Sequence, residues 1–406
     1  MSTSIAALNA LNFFVADVRD GLGPFLGVFL QGHGWSPGAI GMVMTLGGLA
    51  GMAATTPLGA MVDATRAKRA ILIVSALVIV VANGANYFAT GAVTTSIAQV
   101  ATGIAAAAIM PAIAGITLGI VGQSGYPKQL GRNEAFNHAG NAAAAVLAGA
   151  LGYAFGIGAV FALMSAMAVA SIAAVALIRA GDIDHAQARG LDVSSAAQTH
   201  EPTSFAALMR SGPLALLGVT LLLFHLANAA MLPILGQAMV ARGTAGDASA
   251  YTASTVIIAQ VTMIPMALLA ARLAETRGYW IIFVLALAVL PVRGLIAGLI
   301  SEPWILVPVQ VLDGVGAGLL GVAVPGLVAR ILAGTGHVNV GLGVVLTMQG
   351  IGAAVSSTVA GLVAEHFGYG AAFLALGAIA ALALLVWVAG NVWVPTAGKD
   401  AVADLR

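Results

Sequence analysis

"LAGALGYAFGIGAVF", residues 147–161, returns 212 positions later as "VAGLVAEHFGYGAAF", residues 359–373. The two copies share Ala148/Ala360, Gly149/Gly361, Phe155/Phe367, Gly156/Gly368, Gly158/Gly370, Ala159/Ala371 and Phe161/Phe373. Gly and Ala are abundant throughout the chain, so the paired phenylalanines carry the match. The same offset places Asp63 on Glu275, and a nearby one places "GPFLG" (23–27) on "LPILG" (232–236). The chain reads as an internal duplication.

Composition says where such a chain resides. Its 406 residues are 60% hydrophobic and only 8% charged, with a mean hydropathy of +1.01, far from soluble domains. Apolar stretches, each long enough to cross about 30 Å of hydrocarbon as a helix, recur with short polar breaks. They fall at 5–31, 37–62, 70–90, 93–122, 133–156, 158–179, 212–239, 248–273, 279–300, 303–333, 340–366 and 370–394. A barrel is excluded, because the stretches lack period-two alternation and are rich in Ala, Leu and Gly. The expected fold is all-α, with twelve transmembrane helices in two pseudo-symmetric six-helix bundles.

The chain has no cysteine, so thiolate metal sites, disulfides and cysteine nucleophiles are excluded. No phosphate-binding loop, zinc motif or hydrolase elbow stands in a suitable context, so neither an enzyme nor a bound cofactor or metal is expected. A net charge of +1 carries no signal for nucleic acid. The first span has no basic residue before it and carries charges inside, so it reads as a retained helix rather than a signal peptide.

Of sixteen Lys and Arg residues, Arg242 alone lies on one side, and Arg19 and Arg293 lie inside spans. The remaining thirteen share the other side, which predicts a multi-pass protein of the plasma (inner) membrane with both termini cytoplasmic. The longest polar stretch, "AGDIDHAQARGLDVSSAAQTHEPTS" (180–204), is a cytoplasmic linker. It divides the chain into bundles at 1–179 and 205–406.

The loop "GAMVDATRAKRAIL" (59–72) and the repeat together resemble the major facilitator superfamily over essentially the whole chain. Gly59 and Asp63 match the family's G-x-x-x-D pattern before a basic cluster, and Lys68 matches a basic position. Arg66 stands where the family usually has glycine, and Ala67 replaces a basic residue. The second copy, "ARLAETRGYW" (271–280), keeps Glu275 and Gly278. The resemblance implies a cytoplasmic latch built from Gly59, Asp63, Arg66, Lys68, Arg69 and Glu275. Physically, Asp63 can accept hydrogen bonds from a helix N-terminus and its basic neighbours can pair with acids. The competing reading is that these are ordinary positive-inside residues.

Two departures from the family matter. The antiporter signature of helix five, a Gly-Pro dipeptide followed by glycines, is missing from "NHAGNAAAAVLAGALGYAFG" (137–156). The arginine of proton-coupled exporters in helix four is also missing, and Gln99 lies in that region. Proton coupling, if used, must rely on other groups.

Counting about 1.5 Å per residue places a polar layer near mid-membrane. It contains Asp17, Arg19 and Asp20 in helix one, His225 and Asn228 in helix seven, and Gln260 in helix eight. Gln310 and Asp313 in helix ten and Gln349 in helix eleven complete it, with Gln99 and Asn141 nearer one face. The resemblance implies that these helices line or flank a cavity between the bundles. Intramembrane ionisable groups are costly unless paired or wet, which favours a substrate pathway over helix-to-helix glue. Arg19 stands about 100° from Asp20 and about 160° from Asp17 around the helix, so all three cannot serve one partner. Gly21, Gly23 and Pro24 follow at once and predict a bend.

Arg293 and Asp313 fall at similar depth on adjacent helices and could pair, leaving Asp313 as either a structural partner or a substrate and proton site. Asn133, Asn137 and Asn141 form an i, i+4, i+8 stripe in helix five, beside the Glu134/His138 pair. Gly47/Gly51 and Gly314/Gly318 are small-xxx-small pairs expected to pack helices closely. The expected function is secondary transport of a small organic solute by alternating access, with proton-coupled export by an antiporter as the first reading. Uptake or exchange of an organic anion held by Arg19 is the alternative, and a non-transporting membrane sensor on the same fold is a further one. The expected partners are a small-molecule substrate, H+ as coupling ion and the lipid bilayer, with the chain acting as a monomer.

Overall fold

The computed structural model describes residues 3–19, 22–189, 211–243, 248–332 and 338–394. Every regular element among them is a helix. The helices are α1 (Thr3–Arg19), α2 (Pro24–Gly32), α3 (Pro37–Ala64), α4 (Lys68–Phe88), α5 (Ala92–Phe155) and α6 (Ile157–Leu177). After the linker come α7 (Gly212–Asn228), α8 (Met231–Arg242), α9 (Ala248–Thr276), α10 (Tyr279–Leu299), α11 (Leu306–Ile331) and α12 (Val338–Trp393).

Among the described residues, nine stretches are long and apolar enough to cross a membrane. One of them, Gly341–Trp393, has 53 residues and would run about 80 Å if straight, far beyond a bilayer. It is two crossings joined at a kink at Gly368. The first crossing escapes the length criterion because it is broken into α1 and α2, and α5 continues past its own kink at Gly122 to Phe155. Counting these gives the expected twelve. The first break lies where Gly21, Gly23 and Pro24 predict it: Gly23 has φ 47 and Pro24 opens α2, the position at which its missing N–H costs nothing.

The duplication is visible in the backbone. Gly156 has φ 79 and ψ 175, and Gly368, its partner 212 residues on, has φ 85 and ψ 163. This region is open only to glycine, so the match is conformational as well as compositional. Phe155 and Phe367 are both exposed, at 76% and 77%, whereas Phe161 and Phe373 are both buried, at 6% and 1%. An exposed phenylalanine just before the kink and a buried one just after it suit a short turn beside apolar surroundings.

The chain forms two compact units. The first comprises Met1–His33, Leu46–Thr199 and Asp247–Ala253. In it, α1 packs on α5 and α6, and α4 packs on both as well. Phe29, Tyr87 and Phe161 form an aromatic cluster, with Phe29 and Phe161 centroids 4.8 Å apart. The second comprises Gly34–Thr45, His200–Gly246 and Ser254–Arg406. There α12 packs against α7 and α10, and α10 also packs against α11. Its anchor is the stacked pair Phe283 and Trp387, with centroids 4.6 Å apart and both side chains fully buried.

Both small-residue pairs are packing devices. A Cβ on Gly47 or Gly51 would stand 2.9 Å from the backbone oxygen of Gln99 or Gly103 respectively. In the second unit, a Cβ on Gly314 would stand 2.5 Å from Ala259 O, and one on Gly318 2.7 Å from Met263 O. Without side chains, these backbones approach to van der Waals contact.

Candidate functional site

The first unit holds a cavity of about 350 Å³ lined by Arg19, Thr55, Gln99 and Thr102. Gly47, Gly48, Gly51 and Gly103 make up much of the remaining wall. The glycines leave room beside the α3–α5 contact, and Arg19, at the last position of α1, reaches that room. Arg19 Nη1 lies 3.3 Å from Met110 Sδ, a weak acceptor. The hydroxyl of Thr102 is buried without a hydrogen-bond partner among the described residues, a cost that a bound polar group would remove. The structure thus brings Arg19 and Gln99 together. Asp17 is half-buried and has a polar interaction of its own, and Asp20 lies outside the described residues.

The asparagine stripe divides by depth. Asn133 is buried and donates from Nδ2 to Thr117 Oγ1 at 2.9 Å. Gln129 Nε2 donates to Asn133 Oδ1 at 3.0 Å and to Asn9 Oδ1 at 2.8 Å. This network ties α1 to both halves of α5, and such satisfied buried amides rigidify a helix contact. Asn137 and Asn141 are half-buried and His138 is exposed. Sequence reasoning passed over Asn9, Thr117 and Gln129. Their one signal was polarity inside apolar helices, which does not say which pairs meet.

In the second unit a cavity of about 430 Å³ is lined by Phe224, His225 and Asn228 of α7, Leu320 and Val324 of α11, and Gln349 of α12. Three residues of the expected polar layer therefore share one wall. Behind Asn228 stands Arg293, fully buried, whose Nη1 donates to Asp313 Oδ1 at 2.8 Å and to Asn228 Oδ1. Arg293 pairs with Asp313, and a third member joins them: Asn228, which the sequence put in the same polar layer without pairing it to either. Asp313 keeps 14% of its side-chain exposure. Gln310, one turn earlier, is fully buried with neither amide atom partnered among the described residues. Gln260 is half-buried on α9.

The loop residues separate into two kinds. Asp63, Arg66 and Glu275 are exposed, and Gly59 has open space where a Cβ would stand. Lys68 is fully buried, donating Nζ to Val62 O at 2.7 Å and Thr65 O at 2.9 Å. It closes the C-terminal end of α3, where carbonyls lack helical partners and a cation is favoured. Arg69 does the same for α6, donating to Val175 O at 3.2 Å and Ala176 O at 3.1 Å. Lys68→Met should therefore lower stability by about 2 kcal/mol, the worth of hydrogen bonds from a buried charge. Thermal melting of the purified protein measures this, and an unchanged melting point would refute the capping role.

The comparisons agree with this architecture. The chain matches the family described as Major Facilitator Superfamily over residues 5–303. It is 43% identical over 383 residues to the "Uncharacterized MFS-type transporter Rv2456c" of Mycobacterium tuberculosis (strain ATCC 25618 / H37Rv), covering 94% of this chain and 91% of the relative. Its fold is similar to the crystal structure of nucleoside transporter NupG (D323A mutant), with TM-score 0.78, 13% identity, and 95% and 99% of the two chains covered. It is also similar to a bacterial homolog of the human lysosomal transporter Spinster, inward-facing and unoccupied, with TM-score 0.76, 11% identity, and 97% and 98% covered. The repeat, the twelve helical crossings and these matches lead to one assignment: the chain belongs to the Major Facilitator Superfamily and is a multi-pass secondary transporter, not an enzyme.

Proposed function

We propose that this transporter carries a small organic solute with an anionic group, and that Arg19 holds that group. The observation that supports it is the cavity of the first unit, where Arg19 shares the wall with Gln99 and with the Thr102 hydroxyl, unpartnered among the described residues. A guanidinium offers a planar fork suited to a carboxylate, and the neighbouring amide and hydroxyl supply further hydrogen bonds. Membrane transport then follows by alternating access, with the chain in the plasma membrane and both termini cytoplasmic.

Proton-coupled export is the second reading, and Asp17 favours it. A half-buried carboxylate two residues from Arg19 on the same helix is placed to exchange a proton as substrate binds or leaves. Both readings are separable in proteoliposomes. Wild-type protein should exchange radiolabelled benzoate or another member of a panel of small carboxylates. Arg19→Gln should slow that exchange by about 10- to 100-fold, the loss expected for a charge-assisted hydrogen bond, and Arg19→Lys should fall between. No exchange across the panel by well-folded protein, or equal rates in Arg19→Gln, would sink the anion reading. Asp17→Asn should remove the dependence of flux on an imposed pH gradient if the proton reading holds.

A further inference from the structure

Asn228 stands between two environments. On one side its Oδ1 accepts from Arg293 Nη1, and on the other it lines the cavity of the second unit. Arginine has donors only, so the amide atom facing it must be the oxygen. The nitrogen, Nδ2, is left for the other side, and it makes no hydrogen bond among the described residues. Arg293 cannot turn away, because the same Nη1 is held by Asp313 Oδ1 at 2.8 Å and the side chain is fully buried. Removing Arg293 would leave the carboxamide free to flip, exchanging donor for acceptor at the cavity wall.

From this geometry we infer that Arg293 is a positioning residue: by occupying Asn228 Oδ1 it turns Nδ2 toward the cavity, which therefore receives an apolar part of the solute bearing a hydrogen-bond acceptor. The charges of Arg293 and Asp313 cancel at short range, so the pair offers the cavity no net charge. Phe224, Leu320 and Val324 supply apolar wall, and His225 and Gln349 are the other polar groups. A carbonyl on an aromatic or branched aliphatic body fits these demands; a second carboxylate does not. The inference rests on the reading of the chain as a carrier of small organic solutes, but not on the role given to Arg19.

Acetophenone, a neutral aromatic ketone, tests it on the purified full-length protein by saturation-transfer difference NMR. Being uncharged, it does not probe the anion reading, so failure here and failure of benzoate exchange remain distinct. Wild-type protein should transfer saturation to acetophenone. Asn228→Asp should weaken binding by about five-fold or more, since one hydrogen bond is lost and an oxygen replaces the donor. Asn228→Leu, which has no donor and brings no charge, should weaken binding as much and serves where the added carboxylate unfolds the protein. Ethylbenzene, which has the ring but no acceptor, should not distinguish either variant from the wild type.

The double variant Arg293→Met/Asp313→Leu isolates positioning from architecture. Replacing a buried ion pair by apolar side chains is often neutral for stability, so the protein should fold, yet bind acetophenone about two- to five-fold more weakly because Asn228 is unanchored. If it does not fold, Arg293→Leu/Asp313→Asn takes its place with the same expectation, since it likewise removes both the ion pair and the donor to Asn228 Oδ1. No transfer to the wild type, wild-type binding by Asn228→Asp, or wild-type binding by the folded unanchored variant would each overturn the inference.

Discussion

Asp313→Leu is expected to cut the yield of folded protein several-fold. Arg293 is fully buried and its only ionic partner among the described residues is Asp313. Removing the carboxylate alone leaves a guanidinium without compensation in a medium that solvates charge poorly. Breaking a buried pair in this way costs about 3–5 kcal/mol, a large share of the whole stability of a typical domain. Asn228 Oδ1 remains as a neutral acceptor, but a neutral amide cannot offset a full charge. The yield of monodisperse protein by fluorescence-detected size exclusion should fall several-fold, and Arg293→Met added to Asp313→Leu should restore most of it. Normal yield of the single variant would show that water reaches Arg293 and that the pair is dispensable.

The second large effect concerns the α3–α5 contact. A Cβ on Gly103 would stand 2.1 Å from Gly47 O and 3.2 Å from Gly51 N. Both are backbone atoms, so no side-chain rotation relieves the clash. Gly103→Val must separate the helices, forfeiting dispersion contacts along both. The cost should reach about 3 kcal/mol, the upper end of ordinary overpacking. Because Gly47, Gly51 and Gly103 also wall the cavity at Arg19, the same change should abolish solute exchange in whatever protein survives. Gly59→Val is the control on a helix of the same unit: its Cβ meets open space, and the melting point should move little.

How far the site could be read from the sequence differs residue by residue. Helical crossings were legible because hydrocarbon thickness sets a length and a composition that no loop imitates. The repeat was legible through Phe155/Phe367 and Phe161/Phe373, and one glycine pair between them, Gly156/Gly368, proves to share one unusual backbone conformation. Arg19 and Gln99 stood out as polar residues in apolar helices, and they do share a cavity. Arg293 was seen as a possible partner of Asp313, yet its grip on Asn228 was not. Nor was the use of Gln129 to join Asn9 with Asn133. Lys68 shows the reverse: a basic residue expected to pair with acids is buried and spends its charge on helix carbonyls.

The sequence by itself determined the membrane class, the all-α architecture, the duplication and the positions of the polar side chains. These follow from hydropathy, length and periodicity, which are properties of the chain read one segment at a time. Only the tertiary structure decided which polar groups meet. Asn228, Arg293 and Asp313 come from three separate helices, and their contact depends on how those helices are rotated and how deeply each lies. Helical geometry specifies the face on which a residue stands, but packing chooses what that face meets.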